Sequence, residues 1–145
     1  MAMAQATGGI REIPARGIVR GVASGSALVS PQPLSFLGDL DIRTGNVISR
    51  ESSIYGQSVA GRVLVIPRSI GSAGAWRFVY QLSVHGTHPA AIVCVAMPEP
   101  SLVQGAILAH VPLVTSPEED VLHVIQPEDH VTVDGTEGRI YVARA

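Results

Sequence analysis

The sequence has no lysine and only one cysteine among its 145 residues. A single cysteine, Cys94, excludes an intrachain disulfide, and its place in the apolar run PAAIVCVA favours a small core residue over a nucleophile. Positive charge comes from ten arginines, which form no cluster of the kind that binds nucleic acid. Without lysine, a Walker A phosphate loop is also excluded.

Charge of either sign is scarce. Charged residues make up 15% of the chain against 46% hydrophobic residues, and the net charge is −2. This balance favours a domain that covers part of its surface with another subunit. No apolar run is long enough to span a bilayer, and the start lacks the pattern of a signal peptide, so we expect a cytoplasmic protein with no membrane partner. We expect residues 1–16 to be a flexible N-terminal segment and residues 17–145 to form one domain.

Metal-ligating residues are too scattered to indicate a metal site. His85 and His88 are three residues apart, but Gly86 between them is expected to end a helix, and no third ligand follows at a suitable spacing. We therefore expect no metal ion on this chain. Asp39 and Asp41 fall in a loop rich in turn residues, which favours backbone capping over acid–base chemistry.

The middle of the chain alternates apolar runs with amphipathic segments. Three runs, RVLVIP, PAAIVCVA and VPLVT, predict strands buried on both faces. Helices are predicted between them, over residues 74–85 and in EPSLVQGAILAH. This order indicates a parallel βαβ layer, whereas the two ends are rich in short strands and finish in a hairpin around DGTEG, which indicates antiparallel pairing. The predicted fold class is α/β.

The stretch RSIGSAGAW joins the first of these strands to the first helix. Gly71 and Gly74 allow close approach of the backbone to a ligand, and helix N–H groups bind anions. Ser72 is placed at the carboxyl end of a parallel strand, where open α/β sheets bind ligands. A helix N-cap is the simpler role for this serine, and no His–Asp pair in the sequence identifies itself as its activator. The residues alone leave these roles open.

Four segments, in order along residues 17–115, resemble the swivelling domain or small subunit of the aconitase X hydro-lyases. They are GSALVSPQPLSFLGDLDIRTGNVI, YGQSVAGRVLVIPRSIGS, HPAAIV and QGAILAHVPLV. The sequence departs from the family pattern at Asp39, Ser69, Ile70 and Ala75, but the Gly71-Ser72 pair is intact.

The resemblance implies a swivelling β/β/α domain, with a parallel βαβ layer and an antiparallel β-rich layer, that acts together with a large subunit. The large subunit is implied to hold an iron or iron–sulfur centre and most ligands of a small hydroxy-acid substrate, with no cofactor on this chain. By analogy with aconitase, the small subunit delivers a serine base, which corresponds to Ser72. We also expect Gly71, Gly74 and Arg68 to contact the substrate; a cation near the serine would favour its anionic form, and either Arg68 or a cation of the large subunit could supply it.

Large apolar residues near these loops are candidates for the interface with the large subunit. Leu34, Phe36 and Trp76 lie in glycine- and serine-rich surroundings, and such side chains anchor interfaces. Packing into the domain's own core is the alternative, which the sequence leaves open for each of them.

Two substrates fit the resemblance. The composition, without lysine and with abundant alanine and arginine, is typical of a mesophilic bacterium and favours cis-3-hydroxy-L-proline over mevalonate 5-phosphate. A protein of another class, a binding or assembly module without catalytic function, is the third possibility.

Overall fold

The computed structural model describes residues 9–145. In this part of the chain the regular elements follow one another as β1 (Arg11–Pro14), β2 (Arg16–Val19), β3 (Val22–Val29), β4 (Val63–Ile66), α1 (Ala75–Val84), β5 (Ala91–Cys94), α2 (Pro100–Ala109), β6 (Leu113–Thr115), α3 (Val121–Val124), β7 (His130–Asp134) and β8 (Arg139–Ala143). No helix in the described range is both long enough and apolar enough to cross a membrane.

The predicted parallel layer is confirmed. Strands β3, β4, β5 and β6 pair in parallel in that order, with α1 and α2 as the connections after β4 and β5. Every residue of β4 and β5 is buried, as expected for strands covered on both faces. Strand β2 closes this edge of the sheet by antiparallel pairing with β6.

The predicted antiparallel layer is confirmed as well. Strand β7 pairs with both β3 and β8, and β8 pairs with β1, all antiparallel. The eight strands therefore form one sheet in the order β1-β8-β7-β3-β4-β5-β6-β2. The long strand β3 joins the two layers, because β7 pairs with its first half and β4 with its second half.

Two hydrophobic cores lie on opposite faces of the parallel layer, because alternate residues of each strand point to opposite sides. Leu64, Ile66 and Ile92 face the helices and pack with Val79, Leu82 and Leu102. Their neighbours Val63, Val65 and Val93 face the antiparallel strands and pack with Val131, Val133 and Ile140. The domain thus has three layers, β/β/α, which is the architecture predicted above.

The two long helices touch at a glycine. A methyl group added at Gly105 of α2 would lie 2.8 Å from Cβ of Val79 and 3.0 Å from Cα of Trp76. Distances this short are not tolerated between carbon atoms, so the contact requires a residue without a side chain. The first turns of the two helices are also joined, because the N–H of Trp76 in α1 donates to the hydroxyl of Ser101 in α2 at 3.0 Å.

The prediction of a flexible segment over residues 1–16 is wrong for its second half. Residues 11–14 form β1 and pair with β8, and Ile13 is completely buried. The alternation in REIP is too short to distinguish a strand from irregular chain, and only pairing with a distant strand stabilises it. Residues 1–8 lie outside the described part of the chain.

Candidate active site

The loop between β4 and α1 is held by a segment distant in sequence. Leu34 forms a parallel bridge with Ser69: its N–H donates to the carbonyl of Arg68 at 3.3 Å, and its carbonyl accepts from the N–H of Ile70 at 2.9 Å. The PLSFLG segment therefore extends the sheet by one residue pair beyond β4. This bridge fixes the direction in which the loop leaves the sheet.

The prediction that Leu34 and Phe36 are interface anchors is wrong. Each side chain is 1% exposed and belongs to the core on the helix side of the sheet. Both side chains pack inside the domain. Leu34 also holds the loop, because its backbone bridges to Ser69 while its side chain is anchored in the core. An apolar residue in a glycine- and serine-rich stretch has the same appearance in sequence whether its own domain or a partner covers it.

Ser72 is not the N-cap of α1. The N-cap is Gly74, which has no side chain to cap the helix. The hydroxyl of Ser72 instead accepts a long hydrogen bond of 3.3 Å from the N–H of Gly74, and its carbonyl accepts from Ala75 at 3.0 Å. The side chain is half-buried and opens into a surface cavity of about 330 Å³ lined by Ser72, Ala73, Glu99, Pro100 and Ser101.

Ser101 links the start of α2 to the start of α1. Its hydroxyl accepts from the N–H of Trp76 at 3.0 Å and donates to the carbonyl of Ala73 at 3.1 Å. This pair of bonds supplies a partner for an N–H group at the open end of α1 and fixes the loop next to α2. The positive ends of two helix dipoles therefore meet beside Ser72.

Glu99 is the residue of this site that the sequence analysis missed. It precedes Pro100, the first residue of α2, in an extended conformation, and its carboxylate lies so close to Gly71 that a methyl group there would overlap it. A signal was present in the sequence, because residues after neighbouring parallel strands meet at the same edge of a sheet. Glu99 follows β5 as Ser72 follows β4.

Beneath the loop lie a thiol and a second hydroxyl. Cys94, at the end of β5, is completely buried, which confirms its interpretation as a core residue. Burial raises the pKa of its thiol to about 11, the backbone of Ser69 lowers it in part, and the charge of Glu99 adds to the rise. Ser69 is 6% exposed, and its hydroxyl has no hydrogen-bond partner among the described residues.

The remaining predicted site residues lie around the loop in more open positions. Arg68 and Gly71 are exposed, whereas Gly74 and Trp76 are half-buried. Arg68 takes part in no ion pair with a described residue, so its guanidinium is available to an anionic ligand. Trp76 lies beneath the guanidinium of Arg77, whose carbon is 5.5 Å from the ring centre.

Metal ligands are not brought together by this fold in the part that the structure describes. Residues 9–145 contain no group of three or more His, Cys, Asp or Glu side chains that could hold a metal ion. Asp39 and Asp41 cap the backbone as predicted, with Asp39 accepting from Ser35 at 2.8 Å and Asp41 from Arg43 at 2.9 Å. An iron centre therefore does not fit the described residues of this chain.

The fold and the site define a class: a small β/β/α domain that presents a serine-bearing loop at the carboxyl edge of its parallel strands. Within this class the family is shown by sequence, because the family model of the aconitase X swivel domain matches residues 12–142. The chain belongs to the aconitase X swivel domain family.

Relatives and solved structures agree with this assignment. The chain is 42% identical over 129 residues to the phosphomevalonate dehydratase small subunit of Methanothermobacter thermautotrophicus, covering 89% of this chain and 98% of the relative. It is 39% identical over 131 residues to the subunit of the same name from Pyrococcus furiosus, with 90% and 95% covered. The crystal structure of Thermococcus kodakaraensis aconitase X in its holo-form superposes with a TM-score of 0.84 at 37% identity, over 91% of this chain and 98% of that one.

Proposed function

We propose that this chain is the small subunit of an aconitase X-type dehydratase and supplies Ser72 as the base. The observation that carries the proposal is the position of Ser72, half-buried at the carboxyl edge of the parallel strands in a domain that matches the family over residues 12–142. The proposal includes a large subunit, because the small subunits that match this chain imply one and the described residues bring together no set of metal ligands.

Dehydration of a β-hydroxy acid removes a proton from the carbon between the carboxylate and the carbon that bears the leaving hydroxyl group. Ser72 Oγ takes this proton in its deprotonated form, and the converging first turns of α1 and α2 lower the free energy of the negative charge that the oxygen carries once its own proton has left. Arg68 is placed to attract the anionic group of the substrate. Any iron centre supplies Lewis-acid assistance from the large subunit, and no step above depends on its geometry.

The substrate that the relatives favour is mevalonate 5-phosphate rather than cis-3-hydroxy-L-proline. The small subunits cited above carry the name phosphomevalonate dehydratase and match nearly the whole chain. The amino-acid composition favoured cis-3-hydroxy-L-proline instead. Lysine content, however, follows the base composition and growth temperature of a genome and carries no information about a binding pocket. We therefore propose a phosphorylated hydroxy acid as the substrate.

The test uses the chain reconstituted with its large subunit, at matched iron content. The wild-type complex is assayed with mevalonate 5-phosphate and with cis-3-hydroxy-L-proline, and we expect turnover of the first. Ser72→Ala should lower kcat by about 10²–10⁴-fold, the range for loss of a general base. Because the large subunit provides most substrate contacts, KM should change less than kcat.

Ser69→Ala is the matched control, since it removes a hydroxyl from the same loop. The Ser69 hydroxyl is buried without a partner in the described structure, so its removal should leave kcat near the wild-type value and not lower stability. A complex that turns over cis-3-hydroxy-L-proline alone would refute the proposed substrate. If Ser72→Ala keeps full activity, the serine is not the base, and a chain that associates with no large subunit would be a binding module instead.

A further inference from the structure

We infer that Glu99 is the positioning residue for Ser72: its carboxylate orients the serine hydroxyl and accepts the hydroxyl proton as Ser72 takes the proton of the substrate. This inference rests on the proposed function of Ser72. It is drawn from the place of Glu99 in the fold, from its lack of a structural partner and from the chemistry that a serine base requires.

The position of Glu99 is determined by contacts on two sides. On one side its carboxylate lies against Gly71, the residue before Ser72. On the other side α2 begins directly after it, with Pro100 at the first helical position, and Ser101 ties this turn to the loop through Ala73. Glu99 and Ser72 consequently line the same cavity of about 330 Å³.

A structural role does not account for this carboxylate. Glu99 is the N-cap residue of α2, yet its side chain makes no capping hydrogen bond. Some carboxylates of the domain are ion-paired, as in Glu12 with Arg139 and Asp129 with Arg144, whereas Glu99 has no ion-pair partner among the described residues. This half-buried carboxylate therefore has free acceptor oxygens at the cavity that it lines together with Ser72.

The charged and titratable groups on the neighbouring elements are few. Arg68 lies on the loop, Arg77 at the start of α1 and Cys94 at the end of β5. Arg77 is placed over the ring of Trp76, and the thiol of Cys94 is buried and held neutral at physiological pH, with the charge of Glu99 contributing to its raised pKa. Arg68 is the cation of the loop and takes part in no ion pair with a described residue.

A serine hydroxyl accepts a proton from carbon only if its own proton leaves. In the proposed step the C–H bond of the substrate breaks and its proton bonds to Ser72 Oγ, while the original hydroxyl proton moves to the Glu99 carboxylate. The electron pair of the C–H bond forms the double bond, and the hydroxyl group of the substrate leaves with its own electron pair. Glu99 then returns its proton to solvent through the open side of the cavity.

The experiment compares the pH dependence of kcat/KM for reconstituted complexes of wild type, Glu99→Gln and Glu99→Asp. Glutamine has the shape of glutamate and accepts a hydrogen bond but cannot take a proton. We expect kcat for Glu99→Gln to fall by about 10²–10⁴-fold, and the decline in activity toward acidic pH to disappear from its profile. Glu99→Asp should retain that decline and recover part of kcat, because it restores a carboxylate.

Glu137→Gln, at an exposed glutamate in the turn between β7 and β8, is the control and should match the wild type. An unchanged acidic decline in Glu99→Gln would overturn the inference, even if kcat were lower. The proposed function would still stand if Ser72→Ala were inactive in the same assay, whereas an active Ser72→Ala variant would overturn both. If Glu99→Gln failed to assemble, a Glu99→Asp profile without the acidic decline would be the refuting result.

Discussion

The carboxylate of Glu99 lies against the α-carbon of Gly71, although the two residues belong to different strand–helix connections. The space that a Cβ atom would occupy at Gly71 is filled by the carboxylate. The backbone of Gly71 does not adopt the left-handed conformation that favours glycine. Glycine is therefore required here for close approach rather than for backbone conformation.

Gly71→Ala is expected to displace Glu99 while leaving the fold intact. The new methyl group meets the end of a flexible side chain, so unfolding free energy should change by less than about 1 kcal/mol. Misplacement of a group that acts on Ser72 should lower kcat of the complex by about 10²-fold. Gly38→Ala is the matched control, since nothing lies within 4 Å of a methyl group there. Equal kcat for the two variants would contradict this account of Gly71.

Exposed apolar side chains beside the Ser72 loop are expected to contact the large subunit. Ile70 on the loop after β4 is 46% exposed and Met97 on the loop after β5 is 53% exposed. Both lie at the carboxyl edge of the sheet, which also carries Ser72, the proposed base. With the half-buried Trp76, they form the partner surface that we propose in place of Leu34 and Phe36.

Ile70→Asp should weaken association with the large subunit by at least about tenfold, which corresponds to 1.4 kcal/mol. Desolvation of a charge in an apolar contact is the physical cause. Val84→Asp is the control, because Val84 is 59% exposed at the opposite end of α1. Titration calorimetry measures the dissociation constant of each variant with the large subunit. Equal weakening by both substitutions would indicate general destabilisation rather than a local interface.

The buried thiol of Cys94 leads us to expect a lower free energy of unfolding at alkaline pH. Burial raises the pKa of its thiol from 9.0 to about 11, so the unfolded chain loses this proton at lower pH than the folded chain. The stabilising contribution is complete below pH 9 and decreases as the pH rises from 9 toward 11. Denaturant unfolding of wild type and Cys94→Ala at several pH values measures it. The stability advantage of the wild type should shrink over that range, and a difference that does not vary with pH would refute the prediction.

Much of the fold was predictable because its central strands are buried on both faces. A strand between two cores needs apolar residues at successive positions, so it appears in the sequence as a continuous apolar run such as RVLVIP. The glycine at position 86, with its positive φ of 71°, ends α1 where expected, because few other residues adopt that conformation. Strand β1 was not predictable, since its four residues depend on pairing with β8 at the other end of the chain.

Some features of the candidate site could likewise be predicted from the sequence, and others could not. The sequence by itself determined that a glycine- and serine-rich loop with Ser72 follows a buried strand, because these residue types and the apolar pattern reflect local conformation. Only the tertiary structure decided that Leu34 and Phe36 are internal, that Ser72 is not a helix cap, and that Glu99 reaches Gly71. These facts depend on how separate strands and helices pack together, and sequence separation alone does not set the distance between two side chains.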